Sequence, residues 1–178
     1  QVTGSGEVKD TAYPDRAYFG DTHVHTGWSA DAGIDGAVLG PEDAFRFARG
    51  DEVKSNSGQK AKMNRALDWM VIADHSDGMG TISEIRAGNP EMIGNDEFLK
   101  RMNAALKSPD ASLRNKVMLE AVDLQVAQRL PKAMTDPKWM VSAWKRTIEI
   151  ADRYNEPGNP VTERDAEGLV TIAESGFL

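Results

Sequence analysis

Two short apolar runs in this chain lead into histidines, and together they account for all three histidines of the sequence. The first run, Ala17 to Val24, is rich in aromatic and β-branched residues, carries His23 and is followed by His25. The second, Leu67 to Ala73, is almost continuously apolar and stops just before His75. Both runs are typical of buried strands, so the histidines are expected where two strands end.

A helix is predicted between these two runs. Pro41 suits the first helical position, acidic residues follow it, and apolar residues recur at helical spacing up to Gly50. Strand, helix and strand in this order predict a βαβ unit with parallel strands. The polar, glycine-containing segments 26–40 and 51–64 are expected to form loops.

The rest of the chain is mainly helical in pattern. Apolar residues recur at helical spacing in Glu97 to Lys107, Ser112 to Leu130 and Pro137 to Tyr154. A third short strand is predicted over Gly168 to Glu174. Residues 1–13 lack any apolar period and predict a flexible lead-in, whereas residues 14–178 predict one α/β domain of ordinary size.

Composition excludes several classes of site and partner. The chain has no cysteine, which excludes disulfides, thiolate metal ligands and cysteine nucleophiles. Its formal net charge of −7 argues against non-specific binding of nucleic acid, and no apolar run approaches the roughly 18 residues of a membrane span. We therefore expect a small-molecule substrate, with neither nucleic acid nor membrane as a partner. The start at Gln1 fits export after signal removal and a trimmed cytoplasmic chain equally well.

The histidines suggest a metal site. The i, i+2 spacing of His23 and His25 places both imidazoles on the same side of a strand, and Asp31 is the next oxygen donor along the chain. Because ligands collect at the carboxyl ends of parallel strands, we expect His75 nearby. Imidazole and carboxylate ligands suit Zn, Mn or Fe. The alternatives are a chance His-x-His pair on a surface strand and a capping role for Asp74.

Two segments resemble motifs of the PHP (polymerase and histidinol phosphatase) superfamily. Residues 19–32, with His-Val-His-Thr followed by Ser29 and Asp31, resemble its first motif. Residues 72–77, Ile-Ala-Asp-His-Ser-Asp, resemble its second motif. With the Tyr-Asn-Glu-Pro-Gly stretch at residues 154–158, they look most similar to the PHP-like group DUF3604.

This resemblance implies a fold, an activity and a set of site residues. The implied fold is a partial, distorted (β/α) barrel with a helical insertion in its second half. A complete site of this family holds two or three divalent metal ions and acts as a hydrolase, usually on phosphoesters, through metal-activated water. Carried over by position, the metal ligands are His23, His25, Asp31 and His75. Asp74 is then a catalytic residue that supports a neighbouring imidazole or a bound water.

The family also takes metal ligands from later motifs. Glu174, at the end of the third predicted strand, is the candidate for the next ligand, and Glu120, in a predicted helix, is a less suitable one. No histidine follows His75, so the later histidine ligands have no counterpart in this chain. Three interpretations remain. The chain is a hydrolase, or it is a catalytically incomplete fragment or remnant that binds metal weakly and serves as a binding or interaction module. The third is an ordinary α/β scaffold with accidental histidines.

Overall fold

A computed structural model describes residues 17–155 and 170–171 of the chain. The strands in this part are β1 (Gly20–Val24), β2 (Val53–Lys54), β3 (Lys60–Ala61), β4 (Trp69–Ile72) and β5 (Val170–Thr171). The helices are α1 (Ala30–Asp35), α2 (Pro41–Ala48), α3 (Thr81–Ala87), α4 (Pro90–Ile93), α5 (Glu97–Lys107), α6 (Ala111–Val126) and α7 (Pro137–Tyr154). The predicted lead-in of residues 1–13 lies outside the described residues.

The strands form two small sheets. Three parallel strands have the order β1-β4-β5, so β4 is central, and β2 pairs with β3 in an antiparallel hairpin. In the first pair, Gly20 lies opposite Trp69 and Val24 opposite Ile72, with a shift in register between them. The predicted βαβ unit and its parallel strands are confirmed. Within residues 17–155 and 170–171 the fold is mixed α/β, and these strands do not close into a barrel.

Two predicted loops contain secondary structure. The segment 26–40 includes α1, because Ile34 packs into a helical core and its burial stabilises a turn of helix that local pattern alone does not favour. The segment 51–64 includes the hairpin of β2 and β3. Gly58, with φ +84°, supplies the left-handed residue of the hairpin turn.

The long helices follow the sequence pattern closely. The bounds of α5 and α7 agree with the prediction, and Asp96 and Asp136 cap them through their carboxylates. By contrast, α6 ends at Val126 rather than at Leu130. Gln128 adopts φ +55°, and the helix closes where Arg129 N donates to Leu124 O at 2.7 Å.

The apolar side chains form two separate cores. One is helical and joins α1 to α3, α4, α5 and α6 around residues such as Ile85, Leu99 and Met102. The other packs β4 against α2 and α7 through residues such as Phe45 and Ile72. None of the helices in the described part is both long and apolar enough to cross a membrane.

The helical core generates the first prediction. Leu99 is 1% exposed, whereas Leu119 on the neighbouring helix α6 is 61% exposed. Leu99→Ala removes buried methyl groups and leaves a cavity, so we expect the free energy of unfolding to fall by about 2–5 kcal/mol. Leu119→Ala, the matched control, is expected to stay within about 0.5 kcal/mol of the parent chain. Urea denaturation followed by circular dichroism measures both, and equal losses would contradict this assignment of the core.

Candidate metal centre

The parallel pairing of β1 with β4 brings the predicted histidine segments together. Ala73 N donates to Val24 O at 2.9 Å, which continues the ladder past the last residue of β4. His25 follows β1 directly, and His75 follows two residues after Ala73. The three histidines therefore gather at one edge of the sheet, as the sequence predicted.

Three side chains form a group that could hold a metal ion. They are His25, Asp31 and His75, and their ligand atoms all lie within 4.8 Å of one another. Asp31 Oδ2 is 2.9 Å from His25 Nδ1 and 3.4 Å from His75 Nε2. Asp31 stands in the first turn of α1, which aims its carboxylate between the two imidazoles.

His23 lies at the side of this group. Its Nε2 is 2.9 Å from His25 Nε2, and the two rings stack with centroids 4.8 Å apart. The expectation that both imidazoles share one side of the strand is confirmed. The ring of His25 also meets that of His75 edge to face, at 4.9 Å. His23 thus contacts the group through His25, and its role as a fourth ligand stays a prediction.

Ser29 connects the members of the group. This side chain is fully buried, and its Oγ donates to Asp31 Oδ1 at 2.5 Å. The backbone N–H of His75 donates to the same Oγ at 3.1 Å, and His25 Nδ1 lies 3.4 Å from it. Ser29 therefore links the loop that carries Asp31 to the strand end that carries His75.

Asp31 is held in its ionised form. Partial burial raises the pKa of its carboxyl, but hydrogen bonds from Ser29 Oγ, from the backbone N–H of Ala32 and from His25 lower that pKa by more. The net result is a pKa below the usual value for aspartate. An ionised carboxylate is the form that binds a cation, so the site is prepared for one.

Asp74 is fully buried at the base of the site. Its two carboxylate oxygens accept from Thr26, one from the backbone N–H at 2.5 Å and one from Oγ1 at 2.7 Å. Burial raises the pKa of Asp74, and these bonds from Thr26 oppose the rise. Asp74 thus fixes the residue after His25 to the residue before His75. Its predicted catalytic role stays a prediction.

Helix α3 holds the loop of the first motif in place. Arg86 Nη1 donates to Ala37 O at 2.8 Å and its Nη2 to Gly33 O at 2.5 Å, while Ser83 Oγ donates to Gly27 O at 3.0 Å. A Cβ on Gly33 would lie 2.9 Å from Ile82 Cγ2, so glycine permits this close approach. Nothing in the sequence distinguishes Arg86 from the other basic residues, so its role follows from the structure alone.

Of the two acidic candidates from later in the chain, only Glu120 lies in the described part, and it does not join the group. Glu174 lies outside the described residues. Glu120 forms an ion pair with Arg101 between α6 and α5. The ligand group within residues 17–155 therefore consists of two imidazoles and one carboxylate.

This donor set fits a divalent transition metal. Ligand bonds of about 2.0–2.2 Å place neighbouring ligand atoms about 3–4 Å apart, which agrees with the two spacings at Asp31. Mixed nitrogen and oxygen donors suit Zn, Mn or Fe.

Comparison with family models gives a match over most of the chain. The family model described as "Protein of unknown function (DUF3604)" matches residues 12–163. No curated protein and no solved structure matches the chain.

The Thr26–Asp74 pair generates the second prediction. Thr26→Val removes the Oγ1 donor of a fully buried carboxylate and also the oxygen that accepts from Trp28 N. We expect the free energy of unfolding to fall by about 1–3 kcal/mol, because the buried oxygen loses a partner. The control is Thr135→Val, which removes a hydroxyl of an exposed threonine bonded to Lys132 O and is expected to cost less than about 1 kcal/mol. Chemical denaturation measures both, and a loss no greater than the control's would contradict a structural role for this pair.

Proposed function

Since the chain belongs to the DUF3604 family, whose function is unknown, and gathers His25, Asp31 and His75 at one sheet edge, we propose that it is a metal-dependent hydrolase. The substrate class we propose is a small phosphoester. The observation that carries the proposal is the convergence of two imidazoles and one ionised carboxylate at adjacent parallel strand ends.

The ligands we propose for a Zn, Mn or Fe ion are His25, Asp31 and His75, with His23 as a further one. When bound, such an ion lowers the pKa of coordinated water and stabilises negative charge on a reacting ester. Catalytic zinc sites, unlike structural ones, have three protein ligands and an open position for a water molecule. Support for that room comes from the exposure of the side chains, which is 17% for His25 and 29% for His75.

The surrounding residues keep the ligands in position. Ser29 orients Asp31 through Oγ and at the same time fixes the backbone of His75. Its hydroxyl is fully buried and donates to a carboxylate, so it acts in positioning rather than as a nucleophile. Asp74 keeps Thr26, and with it the start of the loop, against the end of β4. This network preorganises the ligands, which is what efficient electrostatic stabilisation requires.

One observation favours the alternative, a metal-binding module with incomplete chemistry. Within residues 17–155, the ligand atoms form one group of three, whereas the resemblance to PHP proteins implies two or three ions. A single ion with three ligands can bind an anionic ligand without hydrolysing it. The two functions differ in turnover, and both require the same ligands.

Metal binding is the third prediction. Asp31→Asn removes the charged ligand, so we expect the affinity for Zn or Mn to fall by at least about tenfold. Asp35→Asn is the matched control, because Asp35 lies one turn later on the same helix and is exposed. Isothermal titration with the chelator-treated full chain measures both affinities. Equal affinity of the two variants, or unchanged metal content after His25→Ala combined with His75→Ala, would contradict the proposed ligands.

Hydrolysis is the fourth prediction. We expect the chain loaded with Mn or Zn to release phosphate from generic phosphomonoesters, and we expect His75→Ala to reduce this rate by at least about a hundredfold, because a ligand of the activating ion is lost. A colorimetric phosphate assay across a range of metal concentrations measures the rate. Stoichiometric metal with no turnover at any concentration would exclude the hydrolase and support the binding module.

A further inference from the structure

An apolar pocket opens directly beside the ligand group. It has a volume of about 300 Å³, and His25 and Thr26 form part of its wall. The rest of the wall is mainly apolar and comes from the end of segment 26–40 (the site loop), from α2 and from the β2–β3 hairpin. Its larger side chains are Val38, Leu39, Phe47 and Val53. A group seated in this pocket therefore touches a residue of the proposed metal site.

The walls of this pocket are fixed to the site loop. Asn56 Nδ2, in the hairpin turn, donates to Gly36 O at 3.0 Å, immediately after α1. Leu39 O accepts from Gly27 N at 2.7 Å, which anchors the Val38–Leu39 wall to the same loop. Both walls are therefore connected by hydrogen bonds to the segment that carries Asp31.

We infer that this pocket receives an apolar group of the substrate, a short alkyl chain, while the phosphoryl group of the same molecule lies at His25, Asp31 and His75. The inference rests on the proposed function and names its substrate class: monoesters of phosphate with a small aliphatic alcohol. Pockets of about 300–1,000 Å³ lined by apolar side chains, with a few polar groups at one end, are typical of small-ligand sites. Here His25 is the proposed metal ligand among the residues of the wall.

The charges around the pocket agree with an apolar occupant. Asp43, the acidic residue of its wall, is paired with Arg46 at 3.3 Å. A larger cavity of about 810 Å³, which shares Leu39, Asp43 and Val53 with this pocket, has a charged wall in which Lys60 is paired with Glu52 at 2.8 Å. No histidine is among the residues of that wall. The smaller pocket is therefore the one that joins apolar surface to the ligand group.

The fifth prediction tests whether the pocket receives an alkyl group, with two ligands that share one headgroup. Methylphosphonate and butylphosphonate are not hydrolysed, and they differ by three methylenes. Each buried methylene strengthens binding roughly fourfold. We expect the metal-loaded full chain to bind butylphosphonate at least about tenfold more tightly than methylphosphonate, since the pocket is partly open. Isothermal titration in the presence of Mn or Zn gives the ratio of the two dissociation constants.

A matched pair of variants tests whether the ratio of the two dissociation constants depends on the pocket. Val38 and Val141 are each 48% exposed, but only Val38 lies in the pocket wall, while Val141 is on α7. In Val38→Asn the butyl-to-methyl ratio should fall by at least about threefold, because a neutral polar group replaces apolar wall. In Val141→Asn the ratio should stay within about twofold of the parent chain's. The ratio for the parent chain is informative even if a variant does not fold.

The outcomes separate this inference from the proposed function. If metal binds and butylphosphonate is no tighter than methylphosphonate, the pocket assignment is overturned and the metal site stands. The same holds if Val38→Asn and Val141→Asn lower the ratio equally. If the chain binds neither Mn nor Zn, the proposed function and the inference that rests on it both fail.

Discussion

The parallel pairing of β1 with β4 is the interaction on which the rest of the site depends. It places the residues after Val24 next to those after Ile72, and the Asp74 carboxylate then joins the two chain segments through Thr26. A fully buried carboxylate is costly unless its oxygens are hydrogen-bonded. With both oxygens bonded, the same group fixes the register of the two strand ends. The positions of His25 and His75 follow from that register.

The part of the site that could be predicted from the sequence is the part set by local pattern. Apolar runs that end abruptly indicate where strands stop, and helical spacing gives the bounds of α5 and α7. The i, i+2 spacing is enough to bring His23 and His25 to the same side, as their stacked rings show. That His75 joins them follows from parallel pairing, which the strand–helix–strand order indicates.

The rest depends on contacts between distant residues. Helix α1 forms where Ile34 packs into the helical core. Its own six residues do not favour a helix, because they include one glycine, two aspartates and one isoleucine, all of lower helix propensity than alanine. Arg86 and Ser83 reach the loop from more than forty residues away. Ser29 is a partial exception, because its position between His25 and Asp31 suggests a hydrogen bond, but its bond to His75 N spans 46 residues.

The charge of the ligand group differs from that of the chain as a whole once a metal ion is bound. The chain carries a formal net charge of −7, which weakens its general attraction for anions. The ligand group itself carries one negative charge when Asp31 is ionised and the imidazoles bind in their neutral form. A divalent ion held there would leave a net positive charge of one at an edge where Asp31 is 51% exposed and the histidines are partly exposed. Because the overall charge of the chain is negative, we expect attraction for an anionic ligand at this site to come chiefly from such an ion.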